Sequence, residues 1–306
     1  MLINLIHSIL QDMASYSIDE TKCTRMISPK SSCDKCVKAC PLSCINIGDE
    51  IQMSDSCINC GICSQACPTY AVKMKLETWD YVIHEINSKK HFTLGCKRNS
   101  GKNPAYFKDF CLGSLPDEYI LFLLLKNPSI INNFDSSKCT HCELFSGFKD
   151  FTQRKRSLEE QLSKLQLSPI ANEQPHMKEK DIEEYDTDKR ALLKSFVNIR
   201  ETLQGIDESQ NTQTFFKLYR ELLKEYPGLY GILPITFPQK SGNCSHCEAC
   251  SKLCPSKALT CTSSAITLQP FCCSSCGLCC DVCYDKAIEM HPVSLEDFLT
   301  DTIQII

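Results

Sequence analysis

The chain has 306 residues, a formal net charge of −4, 42% hydrophobic residues and 23% charged ones, which is enough for two or three domains with cores of their own. That charge excludes a broad nucleic-acid-binding face, and no apolar run approaches the length of a membrane span. Its 24 cysteines are the anomaly, and they ask either for disulfides in an oxidising compartment or for metal-bound thiolates in a reducing one.

Residues 1–20 are predicted to form an apolar helix. Met1–Met13 lacks a basic n-region, a twin-arginine pair and a small-residue cleavage site, which points to a cytoplasmic chain and to metal ligation. The cysteines fall in three blocks, nine within 23–67, four within 96–142 and eleven within 244–283. The first and third blocks read as an internal repeat.

In residues 21–76, Cys57-x2-Cys60-x2-Cys63-x3-Cys67-Pro68 is a complete ligand run. Three thiolates at every third residue in a tight loop reach three irons of one cubane, and the fourth, three residues on, ligates a neighbouring cluster. Single zinc ions favour paired Cys-x2-Cys knuckles instead. This region resembles the bacterial two-cluster ferredoxins, which implies crossed ligation. One 4Fe–4S cluster then takes Cys57, Cys60, Cys63 and Cys40. The other takes Cys33, Cys36 and Cys67, but Lys30 stands where its first cysteine belongs. Cys23, in an enlarged first loop, is the favoured replacement. Cys44 is the competitor, although it occupies a place where such domains carry a small alanine, and a three-iron cluster is the third option. Ile45–Ile47 and Ile51–Met53 read as the hairpin joining the two cluster loops.

Residues 77–150 read as a small α/β domain. Phe92–Gly95 and Tyr106–Phe110 are predicted strands, Ser114 a cap for a helix over Leu115–Lys126, and Ser129–Asn132 a further strand. Cys96, Cys111, Cys139 and Cys142 lie at strand ends and in the loop beyond, where α/β sheets place their sites. The arrangement resembles the small iron–sulfur (delta) subunit of hydrogenases that feed heterodisulfide reductase. The resemblance implies a 2Fe–2S cluster on these four cysteines. Read from the residues alone, they suit zinc or unligated redox thiols as well.

Residues 151–238 contain no cysteine and read as a helical spacer. Thr152–Leu167 repeats Leu158, Leu162 and Leu165 at helical spacing, and Asp181–Tyr226 carries a second apolar stripe. Ser168–Lys180 reads as the linker between them. The alternative for the pair is a hairpin that docks a partner.

Residues 239–306 resemble a two-cluster ferredoxin over nearly their whole length. Cys244, Cys247 and Cys250 pair with Cys283 in one implied cluster, and Cys273, Cys276 and Cys279 pair with Cys254 in the other. Tyr284 replaces the usual proline, and Lys257–Thr260 with Ala265–Leu268 reads as the joining hairpin. Cys261, Cys272 and Cys280 match no ligand position.

No constellation for bond-making chemistry accompanies the cysteines. Gly95–Lys102 is one residue too long for a phosphate loop and is followed by Asn103. His84-Glu85 lacks the second histidine of a zinc protease, and no glycine fingerprint for a flavin or nicotinamide is present. The expected fold class is therefore α+β, two dicluster domains flanking the α/β domain and the spacer. The expected function is electron transfer to or from an oxidoreductase partner: a hydrogenase, a formate dehydrogenase or a heterodisulfide-reductase-like complex. A thiol/disulfide redox enzyme using the middle cysteines and an iron–sulfur redox sensor are the other readings.

Overall fold

The computed structural model describes residues 16–74, 94, 96, 111–132, 134, 136–167 and 216–306. Its first unit opens with strand β1 (Tyr16–Ile18) and helices α1 (Thr24–Ile27) and α2 (Lys35–Ala39), then strands β2 (Ile45–Ile47) and β3 (Ile51–Met53). Helix α3 (Ile62–Ala66) and strand β4 (Val72–Met74) complete it. β1 pairs antiparallel with β4, setting Tyr16 opposite Met74, and β2 pairs with β3, setting Ile47 opposite Ile51. The outer strands thus enclose an inner hairpin, with a helix on each side of it in sequence. Alternation decides which face is buried: Ile45 and Ile47 point inward while Asn46 is exposed. The core beneath is small and holds Ile45, Ile47, Ile51 and Ala71 together with Cys23, Cys36 and Cys67.

The last unit repeats the plan. Strand β5 (Phe237–Lys240) pairs with β8 (Ile288–His291), enclosing the hairpin β6 (Leu259–Cys261) and β7 (Ile266–Leu268). Helix α8 (Ala249–Lys252) precedes the hairpin and α9 (Leu278–Val282) follows it. A final helix α10 (Leu295–Leu299) leads to β9 (Ile303–Gln304), which adds a third strand to β7. Outer strands complete each unit, so both begin earlier than expected: the first already at Tyr16 and the last at Phe237. The helix expected over 1–20 is a strand at Tyr16–Ile18 and a short 3-10 turn at Glu20–Lys22, and residues 1–15 lie outside the described residues.

Between the two units run helices α4 (Asp117–Lys126), α5 (Pro128–Asn132), α6 (Phe145–Lys164) and α7 (Lys217–Glu225). The strand expected at Ser129–Asn132 is helix α5. Its two isoleucines carry β propensity, but Pro128 sits at the first helical position, where its fixed φ favours a helix start, and Ile131 is fully buried. Ser114 is not the cap of α4. Pro116 forces Leu115 into an extended conformation (ψ 120°), which separates Ser114 from the helix, and the Ser114 hydroxyl instead donates to the Cys111 carbonyl at 2.8 Å. Apart from Leu94, which is buried, the strand expected at Phe92–Gly95 lies outside the described residues, as do Tyr106–Phe110 and most of Asp181–Tyr226. Helix α6 starts before Thr152 because Phe148 and Phe151 pack on Phe134 with ring centroids 6.0 and 5.5 Å away.

Helices α4, α6 and α7 share one hydrophobic core with the last unit, centred on Phe151, Tyr219, Phe237 and Phe298. The first unit keeps its own core and meets the helices at a tight joint. Any Cβ on Gly113 would lie 2.7 Å from the Gly147 carbonyl oxygen, and one on Gly147 would lie 2.3 Å from Ile62 Cδ1. Arg154 locks the joint, donating to the Gly113 and Leu115 carbonyls at 3.0 and 2.8 Å while pairing with Asp117 at 2.7 Å. Gly113→Ala is expected to lower the apparent Tm of the intact protein by an amount equivalent to about 1–3 kcal/mol of overpacking. Gly228→Ala, with nothing within 4 Å, is expected to be neutral or slightly stabilising in the same thermal melt.

Candidate metal centres

Four short segments share one backbone design. In the three complete cysteine runs the residues flanking the middle cysteine are left-handed: Asn59 (φ 57°) and Gly61 (80°), His246 (54°) and Glu248 (63°), Ser275 (53°) and Gly277 (81°). Such residues turn successive amides inward and make a concave nest for negative charge. Non-glycine residues enter this region at a cost, so four of these six positions hold strained backbone of the kind found at binding sites. A second mark recurs in all four copies: Ser43, Tyr70, Lys257 and Lys286, each three residues past the last cysteine of its run, have φ of 51°, 51°, 55° and 50°. Their N–H groups donate to the carbonyls of Cys40, Cys67, Cys254 and Cys283 at 3.2 to 3.4 Å. The run that begins at Cys33 lacks the left-handed pair and passes straight into α2.

This framework gathers the thiols into sets. Cys40, Cys57, Cys60 and Cys63 line a hollow of about 400 Å³, open to solvent, walled by Tyr16, Leu42, Ile45, Met53 and Ile58. Burial first, then the Cys60, Cys57 and Cys40 thiols, push Cys63 up to about 12. Burial and then Cys67, Cys23 and Cys33 push Cys36 up to about 11, so Cys23 stands with that set. Cys44 stands elsewhere: it lines the first hollow beside Cys57 and is 4% exposed. Its equivalents in the other three copies are Ala71, Ala258 and Ala287, all buried.

In the last unit Cys254, Cys273, Cys276 and Cys279 line a second hollow of about 310 Å³. Cys273 is pushed upward by burial above all, with Cys276 and Cys254 adding to it. Cys250 is pushed up to about 11 by burial, then by Cys261, Cys244 and Cys247. Cys261 fits no run yet joins this set because β6 ends beside it, a placement that spacing does not encode. Cys283 lies at the end of α9, where its sulfur accepts the Ala287 N–H at 3.3 Å. Cys279 and Cys280 face each other and share a hydrogen bond that raises the first thiol and lowers the second.

The middle thiols adjoin the first set. The Cys111 N–H donates to the Cys60 carbonyl at 3.1 Å, and Cys111 is pushed up to about 12 by burial, with Cys60, Cys96 and Cys139 adding to it. Cys139 and Cys142 flank a 3-10 turn, and the Leu144 N–H points at the Cys142 sulfur at 3.5 Å.

Thiols that bury and crowd one another resist ionisation. A cation inverts that preference, because a coordinating thiol is deprotonated outright. Amides also aim at sulfur: Cys44 N–H at Cys40, His246 N–H at Cys244 and Gly113 N–H at Cys111, at 3.3, 3.3 and 3.4 Å. Sulfur donors around a hollow, with N–H groups directed at them, fit an iron–sulfur cluster. Among the described residues no three His, Cys, Asp or Glu side chains converge closely enough to hold one metal ion.

The nested fold and its ringed thiols define an iron–sulfur protein that binds 4Fe–4S clusters and transfers electrons. Residues 51–73 match the 4Fe-4S binding domain family. The chain is 40% identical over 50 residues, 15% of its length, to an uncharacterized ferredoxin of Methanocaldococcus jannaschii, of which it covers 81%. It is 40% identical over 60 residues, 20% of its length, to the pyruvate synthase subunit PorD of Methanothermobacter marburgensis, and spans 64% of that protein. The chain belongs to the ferredoxin family. No solved structure matches it, and no helix among the described residues is long and apolar enough to cross a membrane.

Cys44→Ala is expected to leave iron content unchanged, since three copies of the same turn already carry alanine. Cys23→Ser is expected to lower it by up to about four irons per chain, read by colorimetric iron assay on protein prepared without oxygen.

Proposed function

We propose that the chain is a five-centre relay subunit that carries single electrons to or from a partner oxidoreductase. The observation that carries this reading is the Cys60–Cys111 contact, which seats the middle thiols directly against the first ferredoxin set. Cys57, Cys60, Cys63 and Cys40 hold one 4Fe–4S cluster, and Cys33, Cys36, Cys67 and Cys23 the second. Cys244, Cys247, Cys250 and Cys283 hold the third, with Cys261 as an adjacent fifth thiol, and Cys273, Cys276, Cys279 and Cys254 the fourth. Cys96, Cys111, Cys139 and Cys142 hold a 2Fe–2S cluster. Such groups accept and release one electron at a time at potentials set by their surroundings. The chain's part is to supply the thiolates, aim amides at their sulfurs and fix the distances between sites.

A second contact supports a continuous path. The Lys30 ammonium reaches the Val282 carbonyl at 3.5 Å, next to Cys283, and so ties the loop before Cys33 to the last unit. Lys30 occupies the place of the missing ligand, and with Cys23 standing in, residue 30 is free to bridge the units. The partner binds the substrate and any organic cofactor. A hydrogenase, a formate dehydrogenase or a heterodisulfide-reductase-like complex suits the middle segment, and the likeness to PorD adds a pyruvate synthase. A cytoplasmic, reducing location suits cysteines that form no disulfides.

Iron and acid-labile sulfide per chain, measured with EPR after reduction, test the inventory. About eighteen irons are expected for four cubanes and one 2Fe–2S cluster. About sixteen irons with one zinc would make the middle set a structural zinc site, and fewer than about eight would overturn the relay.

Each cubane with its thiolates adds about two negative charges, so the loaded protein is far more acidic than its sequence charge. Its complex with a partner is therefore expected to weaken as ionic strength rises, measured by titrating salt in a binding assay. Salt-independent affinity would contradict charge-steered docking.

A further inference from the structure

Among the described residues, two carry buried side-chain polar atoms without a hydrogen-bond partner: Arg220 and Ser274. The Arg220 guanidinium lies over the Phe271 ring and donates to the Leu299 carbonyl, so cation–π attraction accounts for its setting. Nothing comparable accounts for Ser274. Its side chain is 5% exposed and it lines the hollow ringed by Cys254, Cys273, Cys276 and Cys279.

The same position in the other three copies is occupied differently. Ser31, which follows Lys30 in the first-cysteine place, is buried but donates its hydroxyl to Thr24 Oγ1 at 3.0 Å. Ile58 is apolar and lines the first hollow. Ser245 has the hydroxyl but spends it on Asp285, donating through both Oγ and N–H at 2.5 and 2.9 Å. Of the four residues at this position, Ser274 alone presents a buried O–H with no hydrogen-bond partner to a cysteine-lined hollow. Burial without a partner is costly for a hydroxyl, and an anionic sulfur is the acceptor that this hollow would supply.

We propose that Ser274 is a positioning residue whose hydroxyl donates a hydrogen bond to sulfur of the group held by Cys254, Cys273, Cys276 and Cys279, raising that group's reduction potential. Reduction adds one electron and no proton, so the negative charge on sulfur grows and the hydrogen bond strengthens with it. The reduced form gains more than the oxidised form, and the potential rises. The inference rests on the ligand assignment proposed above and concerns a property that a purely structural serine would not affect.

The test is an EPR-monitored redox titration of the full chain, prepared without oxygen, alongside iron and sulfide counts. In Ser274→Ala one reduction step is expected to move to lower potential, with the others and the iron content unchanged. Ser274→Thr, which keeps the hydroxyl, is expected to restore that step. Ile58→Ser, at the matching position of the first hollow, is expected to move a different step to higher potential. Full iron content in Ser274→Ala with every step unmoved would overturn the inference alone. If Cys276→Ser loses no iron and alters no EPR signal, the C-terminal assignment fails and the inference fails with it.

Discussion

Crowded, buried thiols are the constraint on which the rest of the structure depends. In the first unit three of the seven fully buried core residues are cysteines, and the remainder are three isoleucines and one alanine. A core that small cannot offset the conformational entropy of the segment that surrounds it, and domains of this size rely on disulfides, metals or partners. No cysteine among the described residues forms a disulfide, so disulfides are not the device. Metal binding supplies the missing stability, because ligation free energy is folding free energy where no preformed site exists in the unfolded chain. The same iron would offset the cost of ionising thiols that burial and crowding raise, and it gives a purpose to the left-handed loop residues that open amides toward sulfur and to the short strands that only frame the loops.

The helices between the two ferredoxin-type units solve a different problem. Two small units tethered by a long chain would sample many separations, and electron exchange between them would be irregular. The structure removes that freedom in two ways. Helices α4, α6 and α7 merge into the core of the last unit around Phe237 and Phe298, with Phe216 contributing rings 6.2 and 5.9 Å away. The first unit is then pinned to those helices where the Ile62 side chain packs on Gly147 and by the Cys60–Cys111 backbone hydrogen bond, while Gly113 and Gly147 lock the helices' own backbones together. Close-packed contact of this kind has low compressibility and resists deformation. Spacing between sites is thereby held by the stiffest part of the joint.

Much of this was legible in the sequence, and the division follows the range of the interactions. The hairpin Ile45–Ile47 and Ile51–Met53 appears at its predicted residues because alternation and a polar turn specify it locally. That Cys57, Cys60 and Cys63 line one hollow follows from spacing, since a tight loop leaves three thiols few places to go, and Cys40 of the other run lines it with them. The strand assignment at Ser129–Asn132 failed on a local rule, the preference of proline for a helix start, that outweighed two β-branched residues. Contacts between distant segments left almost no local trace. Gly113 and Gly147 look like ordinary loop and helix glycines, and Cys261 sits at a strand end with no motif around it. Only the fold shows that the first two touch, or that the third stands beside Cys250.

Repetition is what makes the differences informative. Four copies of one turn share a left-handed residue three positions past the last cysteine and a carbonyl accepting its N–H. Against that common frame, each departure isolates one physical variable. Cys44 in place of alanine adds a buried thiol to the wall of the first hollow. Lys30 in place of cysteine exchanges ligation for a contact to the Val282 carbonyl. Tyr284 in place of proline is 86% exposed and leaves the turn unchanged, so the turn depends on its left-handed residue and not on a fixed ring. The residue after the first ligand position varies from an apolar side chain at Ile58 to hydroxyls with partners at Ser31 and Ser245 and one without at Ser274. A relay needs sites that differ in potential while sharing a framework, and a duplicated turn with one variable position per copy is a direct way to obtain both.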